Sequence, residues 1–156
     1  MNIGENMLDF NNYHVDFYLI GLLLFLLQEV PYIIMPFIKL DTNPIMKMKE
    51  SSKILNTLEK IFGSLSMMIM FFIITNGNNN IGFILMIVFL LLNYIGWFIY
   101  FKGYQKNWVM LLFLVMMPPL YYMSIGIWKE NIILIIISII FLCIHFTHVY
   151  KNLKEK

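Results

Sequence analysis

The sequence predicts an all-α integral membrane helical bundle of five transmembrane helices, with the N-terminus outside and the C-terminus in the cytoplasm. Three observations lead there. The 156 residues are 60% hydrophobic and only 13% charged, and apolar runs this long have nowhere to bury themselves in water. Those runs fall into five segments, residues 17–38, 55–75, 81–101, 108–127 and 132–150, each near the length that crosses a hydrocarbon core roughly 30 Å thick as a helix. The lysines then set the direction. The tail before the first span, the Asn-rich turn and the turn at 128–131 hold only Lys129, while the segments on the other side hold the other ten. Cationic loops stay in the cytoplasm, and an odd number of spans agrees with that bias.

The elements follow in order. The tail 1–16 is polar and acidic, with Glu5, Asp9 and Asp16. It holds no Lys or Arg, so the positive region of a cleavable signal peptide is not expected. Span 1 carries Gln28 and Glu29 just before Pro31, with Pro36 further on. The loop at 39–60 is rich in lysine, and Thr42-Asn43-Pro44 within it has the form of a capped helix start. Ile54, Leu55, Leu58, Ile61 and Phe62 recur at helical spacing, so span 2 extends back to about Leu55 and leaves Lys60 to snorkel. The stretch 76–80, Asn-Gly-Asn-Asn-Asn, reads as a tight turn. Span 3 follows, then a basic connection at 102–107. Pro118-Pro119 interrupts span 4 and should kink it. Span 5, dominated by Ile, leads to the tail 151–156. The whole chain reads as a single transmembrane domain.

Composition also excludes function classes. A formal net charge of +2 is too small to attract nucleic acid. One cysteine, Cys143, forms no internal disulfide. Ala and Arg are absent and Ile, Leu, Met, Phe, Asn and Lys dominate, a bias that points to an AT-rich genome rather than to a function. No phosphate-binding glycine loop, nucleophile elbow or zinc-protease motif occurs.

A candidate site comes from depth. Spans 1, 3 and 5 run in the same direction, so residues equally far from their starts share a level. Glu29, Asn93 and His145 lie twelve or thirteen residues into their spans, roughly 18–20 Å below the outer boundary at the helical rise. Span 2, read backwards from Thr75, brings Gly63 and Ser64 to a similar level. Glu29, Asn93, His145 and Ser64 therefore form a candidate polar layer, expected to face inward because hydrocarbon offers no partners. A carboxylate at such depth costs at least ~2.5 kcal/mol unless partnered or wet. Glu29 and His145 are expected to pair and share a proton. The plainer alternatives are a Glu29 that snorkels at the Pro31 break and an Asn93 that only glues helices. His145 and His148, three residues apart, share a face. Without a carboxylate or thiolate at fitting spacing they do not build a metal or haem site, and no cofactor is expected.

The last third resembles a group of small uncharacterised polytopic membrane proteins of low-GC bacteria. The resemblance rests on Pro118, Gly126, His145 and Lys151-Asn152, with Leu58-Glu59-Lys60-Ile61 and its Met-rich continuation similar to their second segment. It covers roughly residues 58–152 and leaves Glu29 out. Where those proteins have glycines this chain has Phe62 and Leu65, with Gly63 and Ser66 nearby, so packing there differs. The resemblance implies a small polytopic membrane protein and carries no activity.

Three function classes remain, all at the plasma membrane. The first is a binding or transport-type bundle holding a proton, cation or small amphiphile in the polar layer. The second is a non-catalytic partner subunit or a membrane-stress or immunity-type protein. The third is an enzyme acting on lipid at the inner leaflet, with Glu29, Glu59 and His145 as acid–base groups; it ranks last because no nucleophile stands beside a base. The expected partners are the bilayer, a further copy of the chain or a membrane protein, and no nucleic acid.

Overall fold

Why the chain folds as it does is clearest at its caps and close approaches. In the computed structural model, which describes residues 9–10, 13–40, 44–45 and 52–154, each long apolar run is a helix. Helix α1 spans Leu19–Ile34 and continues as a 3-10 turn, Met35–Phe37. Helix α2 spans Lys53–Phe72, α3 Asn80–Phe101, α4 Asn107–Trp128 and α5 Ile132–Lys154. All five are long and apolar enough to cross a membrane. Three starts are fixed by side-chain caps that satisfy orphan backbone N–H groups. Ser52 accepts from the Leu55 N–H, Asn79 from those of Ile81 and Gly82, and Asn131 from that of Leu134. The helix start read at Thr42-Asn43-Pro44 falls largely outside the described residues.

Two short stretches depart from an all-helical reading. Span 2 stops being helical at Phe72, and Ile73–Thr75 forms a strand, β3. The tail before α1 supplies β1, Asp9–Phe10, and β2, Tyr13–Val15. The three make an antiparallel ribbon in the order β1-β2-β3, with Tyr13 opposite Thr75 and Val15 opposite Ile73. The physical reason is local: β-branched residues crowd a helix end and suit a pleat, and pairing gives their backbone groups partners. The ladder continues as Asp16 N–H to Phe72 O at 3.1 Å and Tyr18 N–H to Phe71 O at 2.7 Å, which ties the start of α1 to the end of α2. Contact there is closest at Gly21, where a Cβ would lie 2.0 Å from the Met70 carbonyl oxygen.

Helix α4 is the centre of the bundle. Of its most apolar stretch 56% is buried, against 17–28% for the other four helices. It packs against α3 and α5, α5 packs on α2, and α1 lies between α2 and α3. The ribbon end is stitched by its turns. The Asn79 N–H donates to Trp128 O, the Trp128 indole to Asn78 Oδ1 and the Asn131 amide to Ile73 O. The Thr75 hydroxyl donates to Lys129 O. The asparagine run is thus a set of caps and ties between turns.

Pro118-Pro119 leave their mark one turn earlier. Residues Met110–Val115 of α4 are π-helical, with the Met116 N–H bonded back to Leu111 O. Two consecutive residues without N–H groups vacate carbonyls among Phe113, Leu114 and Val115, and the local widening aims these carbonyls at other helices.

Candidate functional site

The residues that meet those carbonyls form the first polar grouping. The Asn93 amide of α3 donates to Phe113 O at 2.9 Å, and the Tyr32 hydroxyl of α1 donates to Leu114 O at 2.9 Å. The same device recurs in α1, where Pro31 cannot donate to Leu27 O and the Tyr94 hydroxyl of α3 does so at 2.6 Å. Close approach of α3 and α4 makes the reach of Asn93 workable, since a Cβ on Gly96 would lie 2.2 Å from Phe113 Cβ. Asn93 is fully buried and faces the bundle as expected from depth. Its hydrogen-bond partner is on span 4, and the Tyr32 hydroxyl of span 1 lies beside it.

Glu29 is half-buried, whereas its neighbour Gln28 is fully buried. The reason is angular: Gly21, Gln28 and Pro31 are the buried residues of α1, and Glu29 stands about 100° around the helix from Gln28. Gln28 Oε1 accepts from the Tyr122 hydroxyl at 2.9 Å, and that hydroxyl also sits beside the Glu29 carboxylate. The sequence directed attention to the charge, and the amide beside it is the residue that enters the core.

Ser64 does not join any layer. It is exposed, and Ser66 is the buried serine of α2, donating to Phe62 O at 2.9 Å on its own helix. Ser66, Ile69 and Met70 define the buried face, and Ser64 lies about 200° away from Ser66.

The second grouping links α2 and α5. His145 Nδ1 lies 2.9 Å from Glu59 Oε1, and His148 Nδ1 bonds the other carboxylate oxygen of Glu59. The Asn152 amide nitrogen lies 3.1 Å from His148 Nε2. Nε2 thus meets the Asn152 amide and Nδ1 the Glu59 carboxylate, so both ring nitrogens of His148 have partners. His145 stacks on Phe141, with ring centroids 5.2 Å apart, which fixes the plane in which its Nδ1–H meets the carboxylate. The pairing expected between Glu29 and His145 is not what forms: the carboxylate that His145 meets is Glu59, and no hydrogen bond or ion pair joins it to Glu29 among the described residues.

Level explains the partner. The Asn131 amide bonds Ile73 O, so those two residues mark one depth. Glu59 lies fourteen residues from Ile73 and His145 fourteen from Asn131, each roughly 21 Å further along. Counting from Thr75 as though the strand were helix had placed Gly63 and Ser64 at that level. The readable signal was the pair of histidines three residues apart, a face that needs a partner.

Chemically the trio is a carboxylate held by two imidazoles, one of which also meets Asn152. An uncompensated charge in low dielectric is costly, and the two imidazole contacts answer the Glu59 carboxylate between the helices. Among the described residues no group of three His, Cys, Asp or Glu side chains has the geometry to hold a metal ion.

Fold and site together define a class: a small multi-pass α-helical membrane bundle with one carboxylate–imidazole cluster between two of its helices. Set against known proteins, the chain matches no protein-family model, no curated protein and no solved structure.

Proposed function

We propose that the chain is a binding or transport-type bundle of the bacterial plasma membrane that takes up a proton at Glu59, His145 and His148. The observation that carries this reading is the grip of two imidazoles, one helical turn apart on α5, on a single carboxylate of α2. A group fixed only for packing needs one donor; two donors of unequal freedom give the cluster two protonation states. Orientation supports the reading as well. With the ribbon outside and the lysine-rich end in the cytoplasm, the cluster lies in the inner half of the bilayer, and the exposed Lys53 and Lys151 lie further toward the cytoplasmic ends of the same two helices.

The test is proton flux in liposomes holding the purified chain and an internal pH dye. An imposed gradient should collapse several-fold faster than in protein-free liposomes, and Glu59→Gln should return the rate to the protein-free leak. Equal rates for the wild type and Glu59→Gln would overturn the reading, and the partner-subunit class would take its place.

A further inference from the structure

The interior seam between α1, α3 and α4 holds three polar atoms that no described residue satisfies: Gln28 Nε2, Asn93 Oδ1 and Trp97 Nε1. Their side chains are 0%, 0% and 1% exposed. An unpaired N–H or C=O in such surroundings forfeits its full hydration, so each needs a reason to persist. They do not lie at random. Gln28 and Tyr32 are one turn apart on α1, Asn93 and Trp97 one turn apart on α3, and the Tyr32 and Trp97 rings meet edge-on with centroids 4.7 Å apart. The Tyr32 hydroxyl sits beside both Asn93 and Trp97 while donating to Leu114 O. The other half of each amide is already used: Asn93 Nδ2 on Phe113 O, and Gln28 Oε1 by the Tyr122 hydroxyl. Turning the Asn93 amide over would set its oxygen against the Phe113 carbonyl, and Gln28 keeps one unmet amide atom whichever way it is turned.

We propose that Gln28, Asn93 and Trp97 form a binding site for a water molecule inside the bundle. The unmet groups are two donors, the indole and amide N–H groups, and one acceptor, the Asn93 carbonyl. Water is complementary to this set. It accepts from Trp97 and Gln28, donates to Asn93, and has a second hydrogen for the lone pair that Tyr32 Oη keeps after donating to Leu114 O. That gives the site the two to four polar partners that buried waters have in globular proteins. The π-helical turn of α4 bears on the unmet valences, because the carbonyls it releases engage Asn93 Nδ2 and the Tyr32 hydroxyl. The water site is separate from the cluster at Glu59 and stands or falls without it.

The experiment is solution NMR of the full chain in micelles with tryptophan labelled by 15N at Nε1. Three tryptophans give three indole signals, assigned with Trp108→Phe and Trp128→Phe so that Trp97 itself is never altered. The Trp97 N–H should resonate downfield of an unbonded indole and show a cross-peak to water, with exchange far slower than for the half-exposed Trp108. Gln28→Met should then shift the Trp97 signal although no hydrogen bond joins the two side chains. An unbonded chemical shift, or a bonded one whose only cross-peaks are to protein protons, would overturn the proposal.

Discussion

The two buried polar groupings are built on opposite principles. Along α1, α3 and α4 every member is neutral, and three of its donors go to carbonyls that proline exposes: Tyr94 to Leu27, Asn93 to Phe113 and Tyr32 to Leu114. Between α2 and α5 the centre is a carboxylate, and its partners are the imidazoles of two histidines. The first grouping repairs backbone, so its value is the stability of one arrangement. The second holds charge, so its value is the difference between two states. Polar residues at one depth in a membrane protein therefore do not make one site, and what each is bonded to separates architecture from chemistry.

The largest effect should come from exchanging the roles of the two carboxylates. Glu59→Gln is expected to abolish proton flux while the fold survives, because the amide oxygen still accepts from one imidazole. Glu29→Gln should leave flux near the wild-type rate. If Glu29→Gln stops flux and Glu59→Gln does not, the division drawn here is reversed. Flux assays on the two variants side by side decide it.

Asn93→Leu comes next. It strands the Phe113 carbonyl in apolar surroundings and should cost about 1–3 kcal/mol, read as a lower unfolding midpoint in mild detergent. Restoring backbone donors with Pro118→Ala and Pro119→Ala should shrink that loss. An unchanged loss in the alanine background would show that Asn93 does more than meet the proline break.

Tyr94→Phe is the milder form of the same test. Its single hydrogen bond is worth about 1 kcal/mol, and Pro31→Ala supplies the N–H that α1 lacks at Leu27. The double variant should therefore fall short of the sum of the singles, which thermal unfolding of the four chains will measure.

The smallest effect concerns the tautomer of His148. Nitrogen NMR should find its proton on Nδ1, and Asn152→Leu should let the other tautomer appear with little change in stability. A doubly protonated His148 at neutral pH would remove the asymmetry on which the two-state behaviour depends.

The helices were legible because apolar runs of this length admit one structure in lipid, and all five spans appear where the sequence puts them. Their ends were less so. Ile73–Thr75 continues an apolar run without a break, and three β-branched residues carry no period that separates strand from helix. The reference level was missed with it: Ile73, and not Thr75, stands level with the start of α5, and counting from Thr75 hid Glu59 as the partner of His145. The tail at 13–15 was illegible for a related reason, since its pairing partner lies some sixty residues away. Asn93 was found because an amide in a span has to face something. Gln28 was passed over because Glu29 beside it is charged, and helical angle, more than charge, chose which of them entered the core. Ser64 failed on the same count.

The proline repairs also bear on descent. A proline in a span and the distant side chain that covers its carbonyl are inherited as one unit, although more than sixty residues separate Pro31 from Tyr94. Selection on the hydroxyl at position 94 exists only while residue 31 lacks its N–H. Lineages that replace Pro31 should lose that hydroxyl soon after while keeping an aromatic ring, and lineages that keep it should not. Substitution patterns along future relatives of this chain would then record the hydrogen bonds of its core without any coordinates.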